Sequence, residues 1–225
     1  VHSHTAREAT MMDPSQPVIE RWGASLNFAT TAVLAVHGPG QDASHMRDLA
    51  ARVADPGAAY FAPQAPGGHW FPERVTEPFE VNQPELDESL EAVLATLTHI
   101  MRSGFAPART VLLGFSQGAC LLAHHIVTSR VAFGGAVLLG GGYLGPDGTA
   151  APVTSRWDGR PVFLGLSRED PWVPLSRAEE TADVLRRRGA DVELRVYRGA
   201  RLAPNDDQVR AARDVLARVR GEQAA

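Results

Sequence analysis

The chain has 225 residues, 44% of them apolar, and at about 150 residues per domain this favours one domain with a buried core. Its 22 basic and 26 acidic residues leave a net charge of −4, which excludes a polycationic nucleic-acid binder and an acidic tail protein. All 22 basic residues are arginine, so a Schiff-base lysine, a pyridoxal-phosphate lysine and a phosphate-loop lysine are excluded together.

Val1 to Pro17 is polar, holds two of the eight histidines and has no apolar segment of the secretory type, so residues 1–17 are expected to be a loose tail. From Asn27 onward short apolar runs alternate with amphipathic stretches. Thr31 to Val36 reads as a buried strand stopped by His37-Gly38. Ser44 to Ala54 reads as a helix with Met46, Leu49, Ala50 and Val53 at helical spacing. Ala58 to Ala62 is a short strand ended by the breaker-rich Pro63 to Gly68, and Phe71 to Gln83 is expected to be irregular. Pro84 to Arg102 reads as a long helix, with Glu85, Asp87 and Glu88 in its first turn and Gly104 beyond its end.

Thr110 to Leu113 follows as a strand, then a glycine-rich turn and a helix from Gln117 to Ser129. Ala136 to Leu139 and Pro161 to Leu166 are further apolar strands; Ser176 to Arg188 is a helix closed by Gly189. Val192 to Tyr197 alternates as a strand, and Asn205 is placed to cap a last helix reaching about Arg220. Apolar strands separated by helices predict a single α/β domain over residues 18–225, with a mainly parallel sheet covered on both faces. No insertion is long enough for a large lid domain. A single cysteine, Cys120, excludes a disulfide framework. No apolar run approaches the roughly 18 residues of a membrane span, and a cytoplasmic protein is expected.

The segment that carries chemistry is Gly114-Phe-Ser116-Gln117-Gly118, directly after an apolar strand and directly before a helix. G-x-S-x-G in that setting predicts a strained turn that lifts the Ser116 hydroxyl clear of the sheet, with glycines where backbones must pass closely. The helix N-terminus then favours negative charge beside the serine, and the Gln117 N–H points at a developing oxyanion.

With these residues the chain resembles the α/β-hydrolase carboxylesterases, lysophospholipases and acyl-protein thioesterases. The likeness runs from about Leu34 to Val219. It rests on His37-Gly38-Pro39-Gly40, Pro63-Gln64-Ala65-Pro66, Trp70-Phe71-Pro72, the Gly-Phe-Ser-Gln-Gly turn, and Asp170-Pro-Trp172-Val173-Pro174. The resemblance implies the α/β-hydrolase fold and hydrolysis of a small ester or thioester through an acyl-serine, without metal or cofactor. It maps the nucleophile onto Ser116 and the triad acid onto Asp170, with Trp70 and Trp172 near the pocket.

Two departures stand out. The family's histidine follows the last strand in a Tyr-x-Gly-x-x-His segment; here that segment is Tyr197-Arg-Gly199-Ala-Arg201-Leu202, and no histidine follows His125. The second oxyanion donor falls on Pro39, which has no N–H. Loss of one such donor typically costs about 2.7–4 kcal/mol. His69 is the candidate substitute base. His37 is read as holding its own turn, His45 as solvated, and His124 and His125 as structural.

Three readings stay open: a hydrolase with an incomplete triad, a repurposed lyase, isomerase or cyclase of a small metabolite, and an inactive protein that binds a small molecule or a partner. The expected partner is a small-molecule substrate or ligand, with neither nucleic acid nor membrane. Oligomeric state is not legible.

Overall fold

The structure is a computed structural model describing residues 17–149, 152, 155–199 and 203–221. His2, His4 and most of the expected tail lie outside the described residues, as does Leu202.

The apolar runs form a seven-stranded sheet: β1 (Ile19–Gly23), β2 (Thr31–Val36), β3 (Ala58–Pro63), β4 (Thr110–Phe115), β5 (Gly135–Leu139), β6 (Pro161–Ser167) and β7 (Asp191–Tyr197). Their spatial order is β1-β3-β2-β4-β5-β6-β7. β2 to β7 pair in parallel, whereas β1 lies antiparallel to β3. The helices are α1 (Ala43–Val53), α2 (Glu85–Arg102), α3 (Gln117–Thr128), α4 (Leu175–Arg187) and α5 (Asp206–Gly221).

Strand periodicity divides the core into two layers. Ala32, Leu34, Val36 and Leu112 pack toward α2, α3 and α4, together with Leu86, Val93, Leu121, Leu122 and Leu185. Val33, Ala35, Val111 and Leu113 point the other way, onto Met46, Leu49 and Val53 of α1 and Val209, Ala212 and Leu216 of α5. Both faces are covered, which is why the central strands are apolar without alternation.

The sequence reading missed β1, which precedes its starting point at Asn27. Ile-Glu-Arg-Trp-Gly is short, polar and packed on one side only, so it lacks an apolar run. Tertiary contacts hold it instead: Trp22 stacks on Tyr60 with centroids 5.4 Å apart, and Arg47 lies over the same indole while pairing with Glu20 at 2.9 Å. The other strands and helices fall within two residues of their expected ends. Asn205 does cap α5, its Oδ1 accepting from the Gln208 N–H at 2.9 Å.

His124 and His125 sit in the second half of α3, two turns beyond the Ser116 turn. The Nδ1 of His124 and the Nε2 of His125 are buried without a hydrogen-bond partner. Burial pushes both imidazoles down to about 4, opposed at His124 by the charge of Asp87 and reinforced at His125 by its neighbour. In the unfolded chain they titrate near about 6.5. Between these values the unfolded state binds protons that the folded state refuses, so their contribution to stability is complete above pH 6.5 and is lost as pH falls toward 4. Thermal melts from pH 7 to pH 5 should show a Tm falling by several degrees, and His124→Phe should flatten that slope.

Candidate active site

The site is built where β4 turns into α3. Ser116 has φ 52° and ψ −122°, a conformation that is costly for a residue with a side chain. Close packing enforces it. A Cβ on Gly118 would stand 2.3 Å from the Val36 carbonyl oxygen and 2.4 Å from that of His37; one on Gly114 would stand 2.6 Å from the Ala119 Cα. The helix can begin beneath the end of β2 only with glycine at both places. The Ser116 N–H donates to the Leu139 carbonyl at 2.7 Å, tying the turn to the neighbouring strand.

Gln117 fixes the turn from the other side. Its Oε1 accepts from the Trp70 N–H at 2.7 Å and its Nε2 donates to the Phe71 carbonyl at 2.5 Å. The Trp70 ring is fully buried and its Nε1 donates to the His37 carbonyl at 2.8 Å. A large indole in the core must satisfy its one donor, and here that donor locks the loop after β2. His37 is buried too; its Nε2 accepts from the Ala65 N–H and its Nδ1 donates to the Gly38 carbonyl at 2.7 Å. Burial lowers its pKa, in keeping with a neutral ring that bonds through both nitrogens.

The loop from Gly38 to Gln41 passes directly over the serine. A Cβ on Gly38 would meet the Ser116 Cβ at 3.2 Å. The loop's N–H groups are directed elsewhere: Gly38 donates to Gln41 Oε1 at 3.0 Å, Gly40 to the Gly68 carbonyl at 2.7 Å, and Gln41 to the Gly38 carbonyl at 3.3 Å. Pro39 is exposed and has no donor. The free N–H direction nearest Ser116 is that of the first turn of α3, which begins at Gln117.

Asp170 stands across the turn. Its Oδ1 accepts from the Trp172 and Val173 N–H groups, both at 2.9 Å. Its Oδ2 lies on the Ser116 side: the position of a Cβ on Gly140 is 3.9 Å from that oxygen and 4.0 Å from the Ser116 Cα. A slot of about 20 Å³ adjoins it, lined by Gly140, Ser167, Asp170, Tyr197, Ala203 and Asn205. A void of that size holds one water. Beside it, a cleft of about 170 Å³ runs between Gln41, His45, Phe115 and Ala203.

His45 reaches Asp42 at 3.3 Å within the N-terminal cap of α1 and is half-exposed, as expected. His69 is exposed, one residue before the Trp70 N–H that Gln117 holds. The structure thus brings together Ser116, Gln117, Asp170 and the turn at Pro39, and sets Trp70 in the core and Trp172 on the surface. Trp172 is 61% exposed, under the Arg74 guanidinium. A larger cavity of about 320 Å³, lined by Phe79, Leu86, Leu90, His124 and Tyr143, touches none of Ser116, Gln117 or Asp170. Among the described residues, no three His, Cys, Asp or Glu side chains converge to hold a metal ion, and no helix is long and apolar enough to cross a membrane.

A serine lifted on this turn, a glycine loop above it and an aspartate beside it agree with the comparison that decides the family: residues 25–219 match the phospholipase/carboxylesterase family model. The chain belongs to the phospholipase/carboxylesterase family. A phospholipase/carboxylesterase from Dyadobacter fermentans superposes with a TM-score of 0.85 at 28% identity, over 90% of this chain and 97% of that one. The Bacillus cereus carboxylesterase shares the fold, with a TM-score of 0.73 at 18% identity over 89% of this chain and 93% of that one. Acyl-protein thioesterase 1 of Gibberella zeae is 36% identical over 102 residues; the match spans 43% of this chain and 42% of that protein.

The sequence missed two supports of the family's site. Gln41 folds back to take the Gly38 N–H, and the fully buried Asn82 fixes the loop beyond Trp70 by accepting from the Glu73 N–H at 2.8 Å and donating to the Arg74 carbonyl. Neither has a sequence signal, since both act through backbone groups brought near only by folding. Because a Cβ at residue 118 meets backbone rather than a yielding side chain, Gly118→Ala should destabilise the protein by about 3 kcal/mol, the upper end for overpacking. Urea unfolding would measure it.

Proposed function

We propose that the protein hydrolyses small esters or thioesters through a covalent acyl-Ser116 intermediate, slowly and without a triad histidine. The observation that carries this reading is the strained Ser116 turn at the α3 N-terminus, with Asp170 facing it. The Ser116 Oγ attacks the acyl carbon and its proton passes to a base. The tetrahedral oxyanion draws on the Gln117 N–H and the α3 dipole, and the alcohol or thiol departs. Water then attacks the acyl-serine and releases the acid.

His69 is the base in this reading, acting on the Ser116 hydroxyl through a water. Its support is position: the chain at Trp70 is bound to Gln117, the residue after the nucleophile. Asp170 holds the loop beside the serine through the Trp172 and Val173 N–H groups and places its second oxygen toward the reacting groups. Leu202 occupies the sequence position of the family's histidine. Enzymes stripped of a triad member retain about 10³–10⁴-fold catalysis over water from the oxyanion site and binding, and that is the scale expected here.

A fluorophosphonate probe and p-nitrophenyl acetate test the reading. Labelling and turnover should both vanish in Ser116→Ala, and turnover should drop in His69→Ala. Pro39→Gly returns an N–H to the oxyanion loop and should raise kcat up to about 10²-fold, the usual worth of one donor. Leu202→His should raise it further. A second reading, a protein that binds a small molecule without hydrolysis, draws support from Pro39 and from the missing histidine. Absent labelling and turnover in the native chain, with activity appearing in Leu202→His, would overturn the first reading and mark a disabled triad on a sound scaffold.

A further inference from the structure

Two loops with different origins meet above the sheet. One leaves β3 and carries Trp70 to Asn82; the other leaves β6 and carries Asp170 to Pro174. In the order β3-β2-β4-β5-β6 their roots stand four strand spacings apart, or roughly 19 Å. The loops nevertheless touch, because the Arg74 guanidinium lies over the Trp172 ring, 5.5 Å from its centroid. Both loops flank the end of β4 that delivers Ser116: the first is bonded to Gln117 at Trp70 and Phe71, and the second carries Asp170, next to Ser116 across Gly140.

Each end of the contact is held in place. Asn82, fully buried, binds the Glu73 N–H and the Arg74 carbonyl, so the backbone bearing Arg74 is pinned from beneath. Gln117 pins the same loop at Trp70 and Phe71, beside the nucleophile. On the other side Asp170 Oδ1 takes the N–H of Trp172 itself. Among the described residues Arg74 has no carboxylate partner, so stacking is the interaction that fixes its head. A cation over an indole is worth about 0.5–1 kcal/mol where exposed, enough to keep a contact closed most of the time yet open to displacement.

From this we infer that the Arg74–Trp172 pair is a bar across the acyl end of the Ser116 site, making it selective for short acyl chains. The inference rests on the proposed hydrolysis at Ser116 and adds the substrate class: short acyl groups of acetyl to butanoyl length are taken with the pair closed, and a longer chain must displace the arginine. Either side chain removed opens the same passage, so the two effects do not add.

The experiment takes the full chain with Arg74→Ala, Trp172→Ala and the double variant. It measures kcat/KM on p-nitrophenyl acetate, butanoate, octanoate and dodecanoate. The octanoate-to-acetate ratio should rise at least tenfold in each single variant and no further in the double. An unchanged ratio, or two effects that multiply, overturns the proposal. A second readout does not depend on catalysis. Trp70 and Trp157 are fully buried and Trp22 is stacked on Tyr60, so acrylamide quenching reports mainly on Trp172. Because Trp172 is already 61% exposed, Arg74→Ala should raise the quenching constant measurably but less than twofold; no change means the bar is absent in solution and ends the proposal. If no form of the protein turns over ester, the hydrolytic reading fails by itself. The bar is then judged by octanoate binding to Trp172 fluorescence, which should be at least tenfold tighter in Arg74→Ala than in the native chain, equal affinities refuting it.

Discussion

Everything at this site depends on one close crossing, where the first turn of α3 slides beneath the end of β2. The carbonyls of Val36 and His37 stand where a side chain on residue 118 would have to go. That contact fixes the angle at which α3 leaves the sheet, and the angle forces Ser116 to φ 52°. Strain of this kind, of order 1–3 kcal/mol, persists only where the surroundings over-determine it. Here they do so by hydrogen bonds that close on themselves: Ser116 to β5, Gln117 to Trp70 and Phe71, and the Trp70 indole back to His37, one residue from the glycine that touches the serine.

Such a frame explains how the loop after β2 keeps its shape with a proline, which has no N–H, at residue 39. In that loop Gly38, Gly40 and Gln41 commit their N–H groups internally or to Gly68. A proline at residue 39 fits such a loop without loss, since the turn needs no hydrogen bond from that position. What changes is chemistry. In the proposed reaction the charge that develops on a substrate is met by α3, through its first-turn N–H groups and its dipole.

The sequence carried the sheet and its order of elements because the central strands are apolar on both faces and the helices are periodic. Ser116 and Gln117 drew attention through glycines spaced about a strand-to-helix turn, and Asp170 only through the resemblance of its segment to the family's. β1 escaped, being held by Trp22 on Tyr60 rather than by an apolar pattern. Trp70 escaped in a different way. The resemblance sets it near the pocket, while its hydrogen bond to a buried carbonyl, which makes it a post for the loop after β2, has no mark in the sequence. Asn82 and Arg74 were illegible: an asparagine in a proline-rich stretch and a surface arginine gain meaning only when folding brings two backbone segments and a distant indole to them.

These placements separate the cost of building the site from the cost of running it. The groups that hold the turn are buried and hydrogen-bonded: Gly118, Trp70, His37 and Asn82 are all closed to solvent. Altering any of them leaves a clash or an unpaired polar group inside the protein, at about 1–3 kcal/mol each. Pro39, by contrast, is exposed and bonded to nothing that the fold requires. The chain can therefore lack an oxyanion donor and carry no histidine after His125 without weakening the frame. A nucleophile turn that demands so much local order, kept together with Asp170 on its own pinned loop, is what makes the Ser116 hydroxyl the place to look for the protein's chemistry.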